Sequence, residues 1–154
     1  MKLKVGDVAP PFTGKTTDGS AVSLTDYADK KLVLYFYPKD DTPGCTQQAC
    51  SLRDYNAEIR DRGAEVLGVS TQDETSHQRF SEKHRLTFPL LADTDKTVSK
   101  SYGAIGGGGL LNTMVSVLGL ASRITFIIDE QGKIAHIIDG PDCANHAQEV
   151  LELL

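Results

Sequence analysis

Apolar and polar positions alternate along this chain in blocks that change period at recognisable breaks. From Leu32 to Tyr37 the run Leu-Val-Leu-Tyr-Phe-Tyr is apolar at every position, which predicts a strand buried within a sheet between helices. After Pro38 the period changes. Ala49, Leu52, Tyr55 and Ile59 recur at helical spacing and Gly63 ends the pattern, so a helix over about 43–62 is expected to pack on that sheet. Glu65 to Ser70 predicts a second buried strand, followed by a helix over 74–84 with Phe80 facing inward. This βαβα order favours a right-handed crossover and a parallel pair.

Shorter signals fill the remainder. Residues 12–24 read as a polar hairpin, turned by Thr-Thr-Asp-Gly at 16–19 and expected to cover one end of the sheet. Phe88 to Leu91 is a short apolar segment, and Asp93 or Thr94 is placed to cap a brief helix that Gly103 would end. Arg123 to Ile128 and Lys133 to Ile138 flank the turn Asp-Glu-Gln-Gly and predict an antiparallel hairpin, with a last helix over about 144–153. Parallel strands first, a hairpin last and helices on both faces make a thioredoxin-like α/β arrangement with a mixed central sheet and an N-terminal β-hairpin.

Composition narrows the function classes. The chain has 154 residues and 40% hydrophobic content, enough for one domain spanning 1–154 with its own core. A net charge of −5 argues against nucleic acid or an acidic membrane surface as the main partner, because both demand a basic face. The opening Met-Lys-Leu-Lys-Val-Gly-Asp lacks the apolar core of a secretory signal, which points to the cytoplasm. Three cysteines, an odd number, do not form a secreted disulfide framework; reactive thiols are the better reading.

The chemistry concentrates where the central strand gives way to the helix. Cys45 falls at the helix start, where unpaired amides and the dipole lower a thiol's pKa from about 8.5 to about 4–7. Thr42 brings a hydroxyl into the same loop, and Pro38 and Pro43 stiffen it. The loop itself contains no histidine to act as a base beside the thiol. His77, His84, His136 and His146 are scattered and read as solvated. Cys143, with His146 three residues on, has poor spacing for a zinc site with Cys45 and Cys50 and reads as a spare thiol. Gly106 to Gly109 lack the flanking strand and helix of a phosphate loop.

Residues 38–45, Pro-Lys-Asp-Asp-Thr-Pro-Gly-Cys, resemble the Pro-x-x-x-Thr-x-x-Cys signature of the peroxiredoxins. The longer Tyr-Phe-Tyr-Pro-Lys-Asp-Asp-Thr-Pro-Gly-Cys-Thr-Gln-Gln-Ala-Cys-Ser-Leu-Arg-Asp is similar to the peroxiredoxin Q branch, the bacterioferritin comigratory proteins. The likeness runs from Val5-Gly-Asp-Val-Ala-Pro through Leu67-Gly-Val-Ser and Phe88-Pro-Leu-Leu-Ala-Asp to Arg123-Ile-Thr-Phe-Ile-Ile-Asp.

What the resemblance implies is a thioredoxin fold and a thiol-dependent peroxidase that reduces hydrogen peroxide and organic hydroperoxides without metal or haem. By position, Cys45 would be the peroxidatic thiol that becomes a sulfenic acid, and Thr42 would hold the peroxide. Arg123 would supply the cation, Pro38 would shield the site, and the amides of Gly44 and Cys45 would donate to the substrate. Cys50 matches the resolving cysteine, and thioredoxin or a similar dithiol protein would reduce the Cys45–Cys50 disulfide. Helical geometry adds one inference of its own. Five residues along a helix place the two Cα atoms roughly 8.6 Å apart, beyond the 7 Å or so that a disulfide tolerates, so the first turns must unwind for the bond to form.

Two rival functions stay open at this level. A thioredoxin-like disulfide oxidoreductase would normally carry Cys-x-x-Cys and would consume no peroxide; a redox-sensing binding protein would react with peroxide without turning over. The resemblance suggests a monomer. The apolar stretch 110–121, in a segment (101–122) free of charge, leaves a dimer open, and it is expected either to pack on its own domain or to form a patch for bulky hydroperoxides or a partner.

Overall fold

The computed structural model describes residues 2–105 and 118–154. Most of the apolar segment 110–121 lies outside them, so neither reading of it is tested. Gly119, at its described end, has φ 75° and leaves Leu118 exposed, while Ala121 is buried.

The central run forms β3 (Lys31–Phe36), and its neighbours follow the expected order. A small antiparallel sheet pairs β1 (Thr13–Lys15) with β2 (Ala21–Ser23). The main sheet has five strands in the order β5-β4-β3-β6-β7, with β4 at Ala64–Ser70, β5 at Leu90–Ala92, β6 at Ile124–Ile128 and β7 at Ile134–Asp139. β3–β4 and β4–β5 are parallel, whereas β3–β6 and β6–β7 are antiparallel. The N-terminal hairpin lies against β5: Thr16 bridges Leu91, and a side chain on Gly14 would stand 3.0 Å from Leu91 carbons.

Alternation along β3 divides the core. Val33, Tyr35 and Tyr37 face one side, with α1 (Pro43–Asp54), α2 (Asn56–Asp61) and α3 (Glu74–His84) supplying Cys45, Ala49, Leu52, Ile59 and Phe80. The C-terminal helix α5 (His146–Leu153) adds Ala147 and Val150 to that side. Leu32, Leu34 and Phe36 face the other, against Phe12, Val98 and Tyr102, with α4 (Thr97–Ser101) as the helix there. The thiol-bearing helix therefore packs on the strand whose end it leaves, which is the connection that fixes the site.

Three expectations need correction. The helix expected over 43–62 is broken at Tyr55 (φ −112°, ψ 12°) into α1 and α2. Asn56, just past the break, donates from its amide to Thr87 Oγ1 at 3.0 Å, so a tertiary contact holds the interruption. The last helix starts later than expected, preceded by a 3-10 turn at Cys143–Asn145. His77 and His146 are buried, not solvated.

His146 shows why burial is tolerated. Its Nδ1 faces Glu149 Oε1 at 3.0 Å and its Nε2 faces the Thr125 hydroxyl at 2.9 Å, a pair of contacts that a neutral ring completes by donating to the carboxylate and accepting from the hydroxyl. Burial pushes its pKa below the ordinary 6.5, opposed by Glu149. A histidine whose folded pKa is depressed favours the fold at high pH, and that advantage is lost as pH falls below about 6.5, where the unfolded chain takes the proton first. Denaturant unfolding at pH 7.5 and 5.5 is therefore expected to show a steeper acid loss in the wild type than in His146→Gln. Parallel losses would contradict it.

Candidate active site

The site begins at the carboxyl end of β3, where the chain leaves the sheet through Pro38 and enters α1 at Pro43. Proline at the first helical position costs no hydrogen bond, and the first intrahelical bond runs from the Thr46 amide to the Thr42 carbonyl at 2.8 Å. The amides of Gly44 and Cys45 lie in the first turn and have no carbonyl four residues back within the helix. Cys45 is 1% exposed on the face of α1 that meets the sheet.

Arg123 reaches this point from a distant part of the sequence. It immediately precedes β6, whose Ile124 pairs with Phe36, so the antiparallel register brings the start of β6 beside the end of β3. Its Nη2 donates to Cys45 Sγ at 3.3 Å, and its Nη1 donates to Gln48 Oε1 at 2.8 Å. The structure thus brings together the thiol and the cation named from the sequence. Gln48, fully buried, is a site residue that the sequence reading missed, although its position three residues after Cys45 puts both on one helical face. Its Nε2 has no hydrogen-bond partner among the described residues, leaving a donor free next to the guanidinium.

Gly44 makes room for this arrangement. A Cβ there would stand 3.1 Å from Arg123 Nη2 and 3.5 Å from Cys143 Sγ. Gly44→Ala should therefore push the guanidinium off Cys45 by a few tenths of an ångström, and we expect the rate of Cys45 alkylation by iodoacetamide to fall several-fold, on the order of 1 kcal/mol, with the melting temperature little changed. Unaltered kinetics would show that the guanidinium position has slack.

The loop between Pro38 and Thr42 is fastened on several sides. Gln72 Nε2 donates to the Pro38 carbonyl at 3.1 Å, and Ser70 Oγ donates to the neighbouring Tyr37 carbonyl at 2.8 Å. Buried Asp40 accepts from the hydroxyls of Tyr37 at 2.6 Å and Ser76 at 2.7 Å, and meets His77 Nδ1 at 2.6 Å. His77 Nε2 lies 3.0 Å from the Leu91 carbonyl, to which only an N–H can bond. Asp41, in a left-handed conformation at φ 61°, is held by Lys83 and His84, whose hydrogen bonds lower its pKa. None of these clamps was legible in the loop itself.

The other named residues fall as follows. Thr42 donates from its hydroxyl to the Lys39 carbonyl at 2.9 Å, which leaves the lone pairs of its oxygen to act as acceptors. Pro38 is half-buried. Cys50 is half-buried on α1, five residues beyond Cys45 on the same helix, and both are free thiols. Cys143, read from the sequence as a spare thiol, lies beside Gly44 and Arg123.

Comparison with known proteins places this geometry. Residues 5–137 match the model of the AhpC/TSA family. Peroxiredoxin Bcp of Escherichia coli (strain K12) is 42% identical over 152 residues, covering 99% of this chain and 96% of that protein. The chloroplastic peroxiredoxin Q of Triticum aestivum is 40% identical over 154 residues, covering 99% and 67%. Among solved structures, Peroxidoxin BcpB of Mycobacterium tuberculosis superposes with a TM-score of 0.85 at 32% identity, covering 98% of this chain and 96% of that one. The Xanthomonas campestris bacterioferritin comigratory protein, studied for alkyl peroxide reduction in trapped intermediate/ligand complexes, gives 0.80 at 30% identity, covering 92% and 88%. The chain belongs to the AhpC/TSA family, as a thiol peroxidase of the Bcp/peroxiredoxin Q type with the thioredoxin-like fold.

Proposed function

We propose that Cys45 is the peroxidatic nucleophile and Cys50 the resolving thiol of an intramolecular cycle that reduces hydrogen peroxide and organic hydroperoxides, with thioredoxin or a similar dithiol protein as reductant. The observation that carries this reading is Arg123 Nη2 at 3.3 Å from Cys45 Sγ. In the first step the Cys45 thiolate attacks the terminal oxygen of the peroxide, the O–O bond breaks, and the leaving oxygen departs as water or alcohol after taking a proton. The guanidinium and the free first-turn amides are placed to stabilise the negative charge as it moves from sulfur to oxygen. The Thr42 oxygen can accept the hydrogen of the substrate's O–H, orienting it, and Pro38, at the head of the same loop, has the role of keeping water from the site. Alkyl peroxide reduction by the Xanthomonas relative supports organic hydroperoxides as substrates.

Cys50 then attacks the sulfenic acid, releasing water and forming the disulfide. Because both residues lie within α1, the helix must open to bring the sulfurs together. We place the cycle in the cytoplasm, a reducing compartment in which free thiols such as Cys45 and Cys50 persist between turnovers.

One experiment tests the whole cycle. Reduced protein given one equivalent of hydrogen peroxide in stopped flow should lose two of its three thiols, mapped to Cys45 and Cys50, and regain them with thioredoxin. Amide exchange over 43–51 should be faster in the oxidised form. No modification of Cys45, or identical protection in both states, would overturn it.

A further inference from the structure

Cys143 is the one thiol that the proposed cycle leaves unused, and it is not remote. It opens the 3-10 turn Cys143–Asn145, which packs against α1, and Gly140 (φ 71°) and Pro141 lead into it from β7. Its Sγ lies 3.5 Å from the point where a Gly44 side chain would begin; Arg123 Nη2 lies 3.1 Å from the same point and 3.3 Å from Cys45 Sγ. The Cys143 thiol and the Arg123 guanidinium thus meet at the space that Gly44 vacates, and the same guanidinium nitrogen holds Cys45 Sγ.

We propose that Cys143 is a second resolving thiol, able to form an intramolecular disulfide with Cys45 while α1 stays wound. This rests on Cys45 being the peroxidatic residue. The electrostatics agree with the proximity: burial raises the Cys143 thiol's pKa, the Arg123 charge lowers it, and a charge on Cys45 raises it again. The difference from Cys50 is mechanical. Cys50 shares a helix with Cys45 and can approach only by breaking that helix's hydrogen bonds. Cys143 comes from a separate element, and its approach needs movement of the turn after Gly140 instead.

The step balances. Peroxide has already oxidised Cys45 to the sulfenic acid. The Cys143 thiolate attacks Cys45 Sγ, an S–S bond forms, the S–O bond breaks, and hydroxide leaves with a proton as water. A dithiol reductant then returns both thiols by exchange. The raised thiol makes this route slower than one through an ordinary cysteine at neutral pH, which fits a reserve resolver.

The test uses Cys50→Ser and the double variant Cys50→Ser/Cys143→Ser, each reduced and given one equivalent of hydrogen peroxide. The single variant should lose two thiols, remain monomeric on non-reducing electrophoresis and yield peptides joined through Cys45 and Cys143, with exchange protection across α1 retained. The double variant should accumulate Cys45 sulfenic acid, captured by dimedone about tenfold more than in the single variant. Equal dimedone capture in the two, with Cys143 still open to alkylation, overturns the proposal, as does a disulfide between chains or lost protection across α1. Failure of the underlying reading looks different: no variant is then modified at Cys45, and Cys45→Ser still consumes peroxide.

Discussion

Cys45→Ser is expected to bring peroxide consumption down to the rate of buffer alone, while the folded structure survives. The substitution exchanges sulfur for oxygen at a site 1% exposed, with no change in side-chain branching. The near-isosteric side chain keeps the core around Ala49 and Leu52 filled. What disappears is the nucleophile. A serine hydroxyl stays protonated at neutral pH and has no adjacent base here: among the described residues, the side-chain groups that reach Cys45 Sγ are represented by a guanidinium, which accepts no proton. Stopped-flow peroxide consumption, with circular dichroism confirming the fold, checks the result. Consumption that persists at a substantial fraction of the wild-type rate would move the chemistry to another thiol.

The same pair of residues shows what could and could not be read from the chain. β3 was legible because the apolar run from Leu32 to Tyr37 admits few other fates, and α3 because its helical pattern around Phe80 runs to His84. Gly63 announced the end of α2 by taking φ 78°. The break at Tyr55 left no mark, since Tyr55 is neither glycine nor proline and the contact that holds it, Asn56 to Thr87, spans 31 residues.

The site divides in the same way. Cys45, Thr42 and Pro38 share one loop, and that loop carries the family signature. Arg123 is 78 residues from Cys45 and nothing in its own neighbourhood marks it; only the resemblance supplied it, and the β3–β6 register explains it. Asp40 and His77 are 37 residues apart, and each alone looks like a solvated polar residue. Their burial depends on α3 returning across the end of β3, a tertiary fact with no local trace. Cys143 beside Gly44 is hidden for the same reason.

Arg123→Ala should lower kcat/KM for hydrogen peroxide by about 10²–10³-fold, or roughly 3–4 kcal/mol of transition-state stabilisation. Both guanidinium contacts are lost at once: the Nη2 donor to Cys45 Sγ and the Nη1 donor that holds Gln48 Oε1. The first favours the anionic sulfur and the charge that develops on the leaving oxygen; the second fixes the guanidinium plane so that it does so in one orientation. Arg123→Lys should recover only part of the loss, because an ammonium is a point charge that cannot hold Gln48 and face Cys45 through a rigid fork. A purely structural role predicts a different pattern, in which the loss follows the fall in melting temperature and leaves the alkylation rate of Cys45 by iodoacetamide untouched. We expect that alkylation rate to fall along with kcat/KM in the alanine variant and to rise again in the lysine variant; a wild-type alkylation rate in Arg123→Ala would separate the guanidinium from the activation of the thiol.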